Sequence, residues 1–64
     1  MPHLFDSLAI NIKTGKVDFV MDKDMTEENA EATVKMAVYR RGVNEHFFSI
    51  APAGDFKEGD KYNK

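Results

Sequence analysis

The residues able to do chemistry are few and stand apart from one another. His3 and His46 are the two imidazoles, and no HExxH or other paired spacing brings them to one site. His46 follows Glu45 at the start of an apolar run and reads as a strand-edge residue. Asp22-Lys23-Asp24 opens like a calcium loop, but the loop's glycine position holds Glu27 and its closing carboxylate position holds Thr33. Gly15, Gly42, Gly54 and Gly59 stand singly, so no loop is built to cradle phosphate. The serines and threonines lack a nucleophile elbow, and Ser49, between Phe48 and Ile50, reads as an outward strand residue. Pro2 follows Met1 and is read as an ordinary chain start. The expectation is therefore no catalytic residue, no metal ligand and no cofactor site. An active site would require Asp18, Asp22, His46 or Arg41 to meet across a subunit interface.

Lys35, Tyr39, Arg40 and Arg41 are the best case for contact with nucleic acid, because aromatic and basic side chains together stack bases and hold phosphates. Basic residues in a last helical turn also complement the helix dipole without any ligand. The net charge of −2, from nine Lys and Arg against eleven Asp and Glu, gives no basic footprint. Nucleic acid is thus the alternative reading, not the first.

These side chains are positioned by one helix and the segments that flank it. Thr26 can cap the run 26–41, Glu27 and Glu28 place negative charge at its start, and Arg40 and Arg41 precede Gly42 at its end. Ala30, Val34, Ala37 and Val38 form its apolar stripe. Residues 4–22 alternate as a hairpin around Lys13-Thr14-Gly15-Lys16, with Ile12 opposite Val17, Ile10 opposite Phe19 and Leu8 opposite Met21. Residues 22–25 link to the helix, and residues 45–51 form a third strand that Pro52 ends. The expected fold is α+β: one small ββαβ domain over residues 1–54, with an antiparallel three-stranded sheet in the order 2-1-3 and one helix on one face. Residues 55–64 are expected to be a charged tail, ordered in part at best. Leu8, Ile10, Ile12, Val17, Phe19, Met21, Phe48 and Ile50 are expected to face the helix stripe.

Sixty-four residues without cysteine form a marginal core, and no disulfide can reinforce it. The surplus apolar residues are therefore the informative ones. Ala9, Val20 and Phe47 on the rear sheet face, or Met36 and Tyr39 on the outer helix face, are the expected interface of a homodimer. The third strand offers another route if it lies at the sheet edge. No run of residues is long and apolar enough to span a membrane, and no basic segment precedes an apolar one at the start, so a cytoplasmic protein without a cleaved signal is expected. The functional expectation is a small non-catalytic interaction or regulatory module, acting on itself or on a different protein.

Overall fold

The helix forms where its end signals place it. In a computed structural model describing residues 3–62, α1 spans Glu27–Arg41. The Thr26 hydroxyl accepts from the Asn29 N–H at 3.2 Å, and the Gly42 N–H donates to the Val38 carbonyl at 2.9 Å. Gly42 stands at φ 73° and ψ −173°, a region that only glycine enters without strain. The strands are β1 (Phe5–Asn11), β2 (Val17–Met25) and β3 (His46–Pro52), paired antiparallel in the order β2-β1-β3. With α1 packed on the sheet this is a small α+β domain of ββαβ order. Residues 22–25, expected to be a link, instead complete β2.

The hairpin register differs from the expected one, and Asn11 is the reason. Its side-chain carbonyl accepts from the N–H groups of Lys13 and Thr14 at 2.8 and 3.1 Å, which folds the chain into a turn directly after β1. The Asn11 N–H then bonds the Lys16 carbonyl at 2.9 Å. Ile12 falls in the turn, 48% exposed, instead of opposite Val17. Ile10 pairs with Val17, Ala9 with Phe19 and Leu8 with Val20. Register shifts at three places let the nine-residue β2 run beside the seven-residue β1. The shift at Asp18 splits the apolar set of β2, sending Val17 to the face of Ile10 and Phe19 to the face of Ala9.

The helix covers the opposite face of β1 from the one expected. The Ser7 hydroxyl donates to the Ala30 carbonyl at 2.9 Å, so the face of Ser7 and Ala9 lies under α1. By the β1–β3 register, Phe48 and Ile50 share that face, as expected for them, while Phe47, Ser49 and Ala51 share the other with Leu8 and Ile10. Ala30 and Ala37 are the buried helix residues, and Val38, placed on the stripe by periodicity, is 42% exposed. Small residues on both sides let the helix approach closely enough for the Ser7 bond.

The larger side chains pack on the far face. Leu8, Ile10, Val17 and Ala51 form a buried cluster joined by Val20, Phe47, Phe56 and Tyr62. Each fully buried aliphatic here contributes about 1.5 to 3 kcal/mol. Phe56 and Tyr62 belong to the segment expected to be a tail, and residues 55–62 are tied to the sheet by backbone bonds. Val17 N–H donates to Asp60, Gly59 N–H to Val17 and Tyr62 N–H to Gly15, all at 2.8 to 2.9 Å. The Tyr62 hydroxyl meets Ser49 Oγ at 2.7 Å. Pro2, Asn63 and Lys64 lie outside the described residues.

Ending the chain at Gly54 should therefore unfold it, because Leu8 and Ile10 lose their cover, and Tyr62→Ala alone should cost about 2 kcal/mol. Ile12→Asp should stay within about 0.5 kcal/mol of the parent, as befits an exposed turn residue. Urea melts check all three, and a chain lacking 55–64 that melts like the parent would contradict this packing.

Candidate functional site

The bulge at Asp18 has a chemical result at the end of the sheet near the hairpin turn. Asp18 Oδ2 takes His46 Nε2 at 2.7 Å and Asn11 Nδ2 at 3.1 Å, so one carboxylate of β2 reaches over β1 to the first residue of β3. The His46 hydrogen bond, then that from Asn11, hold the Asp18 carboxyl below its ordinary value, against an opposing effect of desolvation. Phe19 stands edge-on to His46 with centroids 5.6 Å apart, Phe48 stacks on its other side at 6.4 Å, and the Arg41 guanidinium lies 5.3 Å from the Phe19 centroid. Beside this group a cleft of about 460 Å³ is lined by Arg41, Gly42, Asn44, Glu45, His46 and Phe48.

Three of the four residues considered for an interfacial active site thus come together within one chain. Asp22 does not join them, since its carboxylate accepts from the Thr33 hydroxyl at 2.5 Å farther along the sheet. The Asp18, Asn11 and His46 contacts knit three strands into one end of the sheet. The sequence reading missed Asn11, although an Asn four residues before Gly15 is a turn signal.

The residues expected at an interface are dispersed. Ala9 is fully buried on the helix face of the sheet, and Val20 and Phe47 are half-buried beside the rings of the 55–62 segment, with Tyr62 edge-on to Phe47 at 5.8 Å. Met36 and Tyr39 remain on the surface at 47% and 86% exposure. Lys35, Tyr39, Arg40 and Arg41 spread around α1 at about 100° per residue, so they share no single face.

The sheet edges form the second candidate, and they differ. At β2 the 55–62 segment bonds Val17 on both its N–H and its carbonyl and bridges Lys16 to Lys61, while bulges and the charged residues Asp18, Asp22, Lys23 and Asp24 occupy the strand. At β3, the bonds from Ile12 N–H to Glu45 and from Ala53 N–H to Leu4 fix which residues face β1. Phe47, Ser49 and Ala51 bond inward, leaving the backbone N–H groups of His46, Phe48 and Ile50 pointing outward without a partner among the described residues, while the outward Ile50 carbonyl takes only a long bond from its neighbour Ser49 Oγ at 3.4 Å. The strand reads His-Phe-Phe-Ser-Ile-Ala-Pro and contains no Asp, Glu, Lys or Arg.

No protein-family model, curated protein or solved structure matches the chain. Among the described residues no helix is long and apolar enough to cross a membrane. The class defined by fold and surface is a small α+β domain with, among the described residues, one blunted and one uncovered sheet edge.

Because its folded carboxyl is held low, Asp18 contributes stability that is fully present above the unfolded value near 3.8 and is lost as pH falls through the folded one. The Asp18 side-chain carbon should titrate below 3.8 by NMR and move back toward it in His46→Phe. A parent midpoint at or above the ordinary value would show that the strand-spanning contact does not persist in solution.

Proposed function

We propose that the protein is a non-catalytic interaction module that takes an extended polypeptide strand onto the open edge of β3. The observation that carries this reading is the contrast between the two edges. Exposed edges invite pairing with other chains, and proteins blunt them with bulges, charges or covering segments. The β2 edge has all three, and β3 has none except Pro52 at its last position, where the missing N–H ends a ladder without interrupting it. The incoming strand would gain main-chain bonds to His46, Phe48 and Ile50, and its side chains on the helix face would meet the half-buried Phe48 and Ile50.

The enzyme reading draws on Asp18, His46 and Arg41 standing together. The same contacts have a sufficient structural account, since Asp18 accepts from two strands and Arg41 covers Phe19. The nucleic-acid reading draws on Lys35, Tyr39, Arg40 and Arg41, whose distribution around the helix offers no continuous basic face.

A peptide with the sequence of residues 45–53, titrated into the labelled protein, should protect the amides of His46, Phe48 and Ile50 from exchange. Methylating the Ile50 backbone nitrogen in a synthetic full chain removes one outward donor and blocks the ladder without touching the β1 pairing. Peptide affinity should then fall at least about tenfold. Equal binding by the methylated chain, or shifts confined to α1, would overturn the edge as the contact surface.

A further inference from the structure

Resting on that reading, we infer that the strand taken by β3 is the β3 of a second copy, and that Val38 of the two helices closes the seam above it. The first ground is that β3 can pair with itself. In an antiparallel ladder centred on Phe48, His46 of one copy meets Ile50 of the other and Phe48 meets its own counterpart. Every outward N–H of the strand then finds a carbonyl, and Pro52, which has none to offer, falls just beyond the last pair. A strand that meets its own copy also meets its own charges, and β3 contains no Asp, Glu, Lys or Arg, while its His46 is already held by the Asp18 carboxylate within the chain.

The second ground is the side of the helix that overlooks this edge. Edge-to-edge antiparallel pairing has its two-fold axis perpendicular to the sheet, so both helices stand on the same face. The Thr33 hydroxyl reaches Asp22 and therefore marks the flank of α1 above β2. Val34 and Val38 lie about 100° and 140° around the helix from Thr33, on the flank above β3. Val34 is half-buried and Val38 is 42% exposed, a large apolar side chain left uncovered at the margin of the layer.

The spacing closes on this arrangement. The helix packs more closely on β3 than on β2. The helix also touches β1 and β2, so its axis lies over β1 displaced toward β3; with strands about 4.8 Å apart it stands about 5 to 7 Å from the two-fold axis, which sets the helices about 10 to 14 Å apart. The near end of that span meets the range in which packed helices touch, and across the rest the two Val38 side chains reach toward each other over the ladder. The product is a continuous six-stranded antiparallel sheet whose two remaining edges are both the blunted β2.

Sedimentation equilibrium of the full chain should give twice the 7.3 kDa chain mass at high concentration. Val38→Glu, at an exposed site, should keep the far-UV spectrum of the parent and weaken the dimer at least about tenfold, as two carboxylates would face each other in an apolar seam. Met36→Glu, about 160° around the helix from Val38, should leave it unchanged. The chain methylated at the Ile50 nitrogen should remain monomeric. A parent that stays at 7.3 kDa to near-millimolar concentration while the 45–53 peptide still protects the edge amides would overturn the second copy and leave the edge reading standing. A dimer that survives Ile50 methylation and separates with Met36→Glu would overturn both. Loss of the dimer on methylation with no effect of Val38→Glu would overturn the helix seam.

Discussion

Five consecutive residues of β1, from Asp6 to Ile10, are buried, and a strand in that position has to be covered on both faces. A sheet with one helix covers only one. In a chain of 64 residues the second cover can come only from the chain's own remainder or from another molecule. Here residues 55–62 supply it, and the distribution of side-chain size follows. Ser7 and Ala9 face the helix, whose backbone comes close enough to accept the Ser7 bond, while Leu8 and Ile10 face a looser segment that fits itself around them with Phe56 and Tyr62. The thin layer and the thick layer are two sides of one strand.

Burying β1 also buries polar groups, and each end of the sheet has its own solution. At one end the Asp6 carboxylate, 4% exposed, accepts from the Asp24 N–H at 2.9 Å and the Gly54 N–H at 3.1 Å. Bonds to a charged acceptor contribute about 1.5 to 3 kcal/mol, enough to hold Asp24 at φ 56°, a conformation that costs a non-glycine residue about 1 kcal/mol or more. At the other end Asp18 takes Asn11 and His46. At the first a carboxylate of the central strand holds β2 and the turn after β3, and at the second a carboxylate of β2 reaches β1 and β3. Both lie beside register shifts in β2, because a regular strand would not present its backbone N–H, or its own side chain, at the needed point.

What was legible in the sequence follows the range of the interactions. Thr26, the glutamates after it, the arginines before Gly42 and Gly42 itself act within one turn, and the helix ends where they say. The strand order also followed, since it depends on chain direction and short connections. The choice of face did not. Alternation shows that Leu8 and Ile10 share a side, but which side the helix takes depends on Ala30 and Ala37 meeting Ser7 and Ala9, a fit between small residues that hydrophobic periodicity ignores. The register was lost for a local reason: Asn11 looked like one more polar strand position, whereas its side chain starts the turn. The bulges left no trace in the apolar pattern. Phe56 and Tyr62 stand among charged residues that read as a tail, because backbone bonds to Val17 and Gly15 carry no sequence signature.

The covering segment also decides what kind of association remains open. By occupying the face of Leu8 and Phe47 it removes the apolar area that would favour a face-to-face pair, and by bonding Val17 it closes the β2 edge. The surface left at β3 is mainly unpaired backbone, bordered by Phe48, Ile50 and Val38. A ladder bond contributes only about 0.5 to 1.5 kcal/mol once water has been displaced from both partners, against a cost of at least about 4 kcal/mol for lost translational and rotational freedom. Association through such an edge is consequently weak and reversible unless side chains add to it. The few apolar residues bordering the ladder then set its strength, while the ladder sets its geometry. The segment that covers β1 thus leaves a single uncovered edge among the described residues, and a contact made there would be one that concentration can switch.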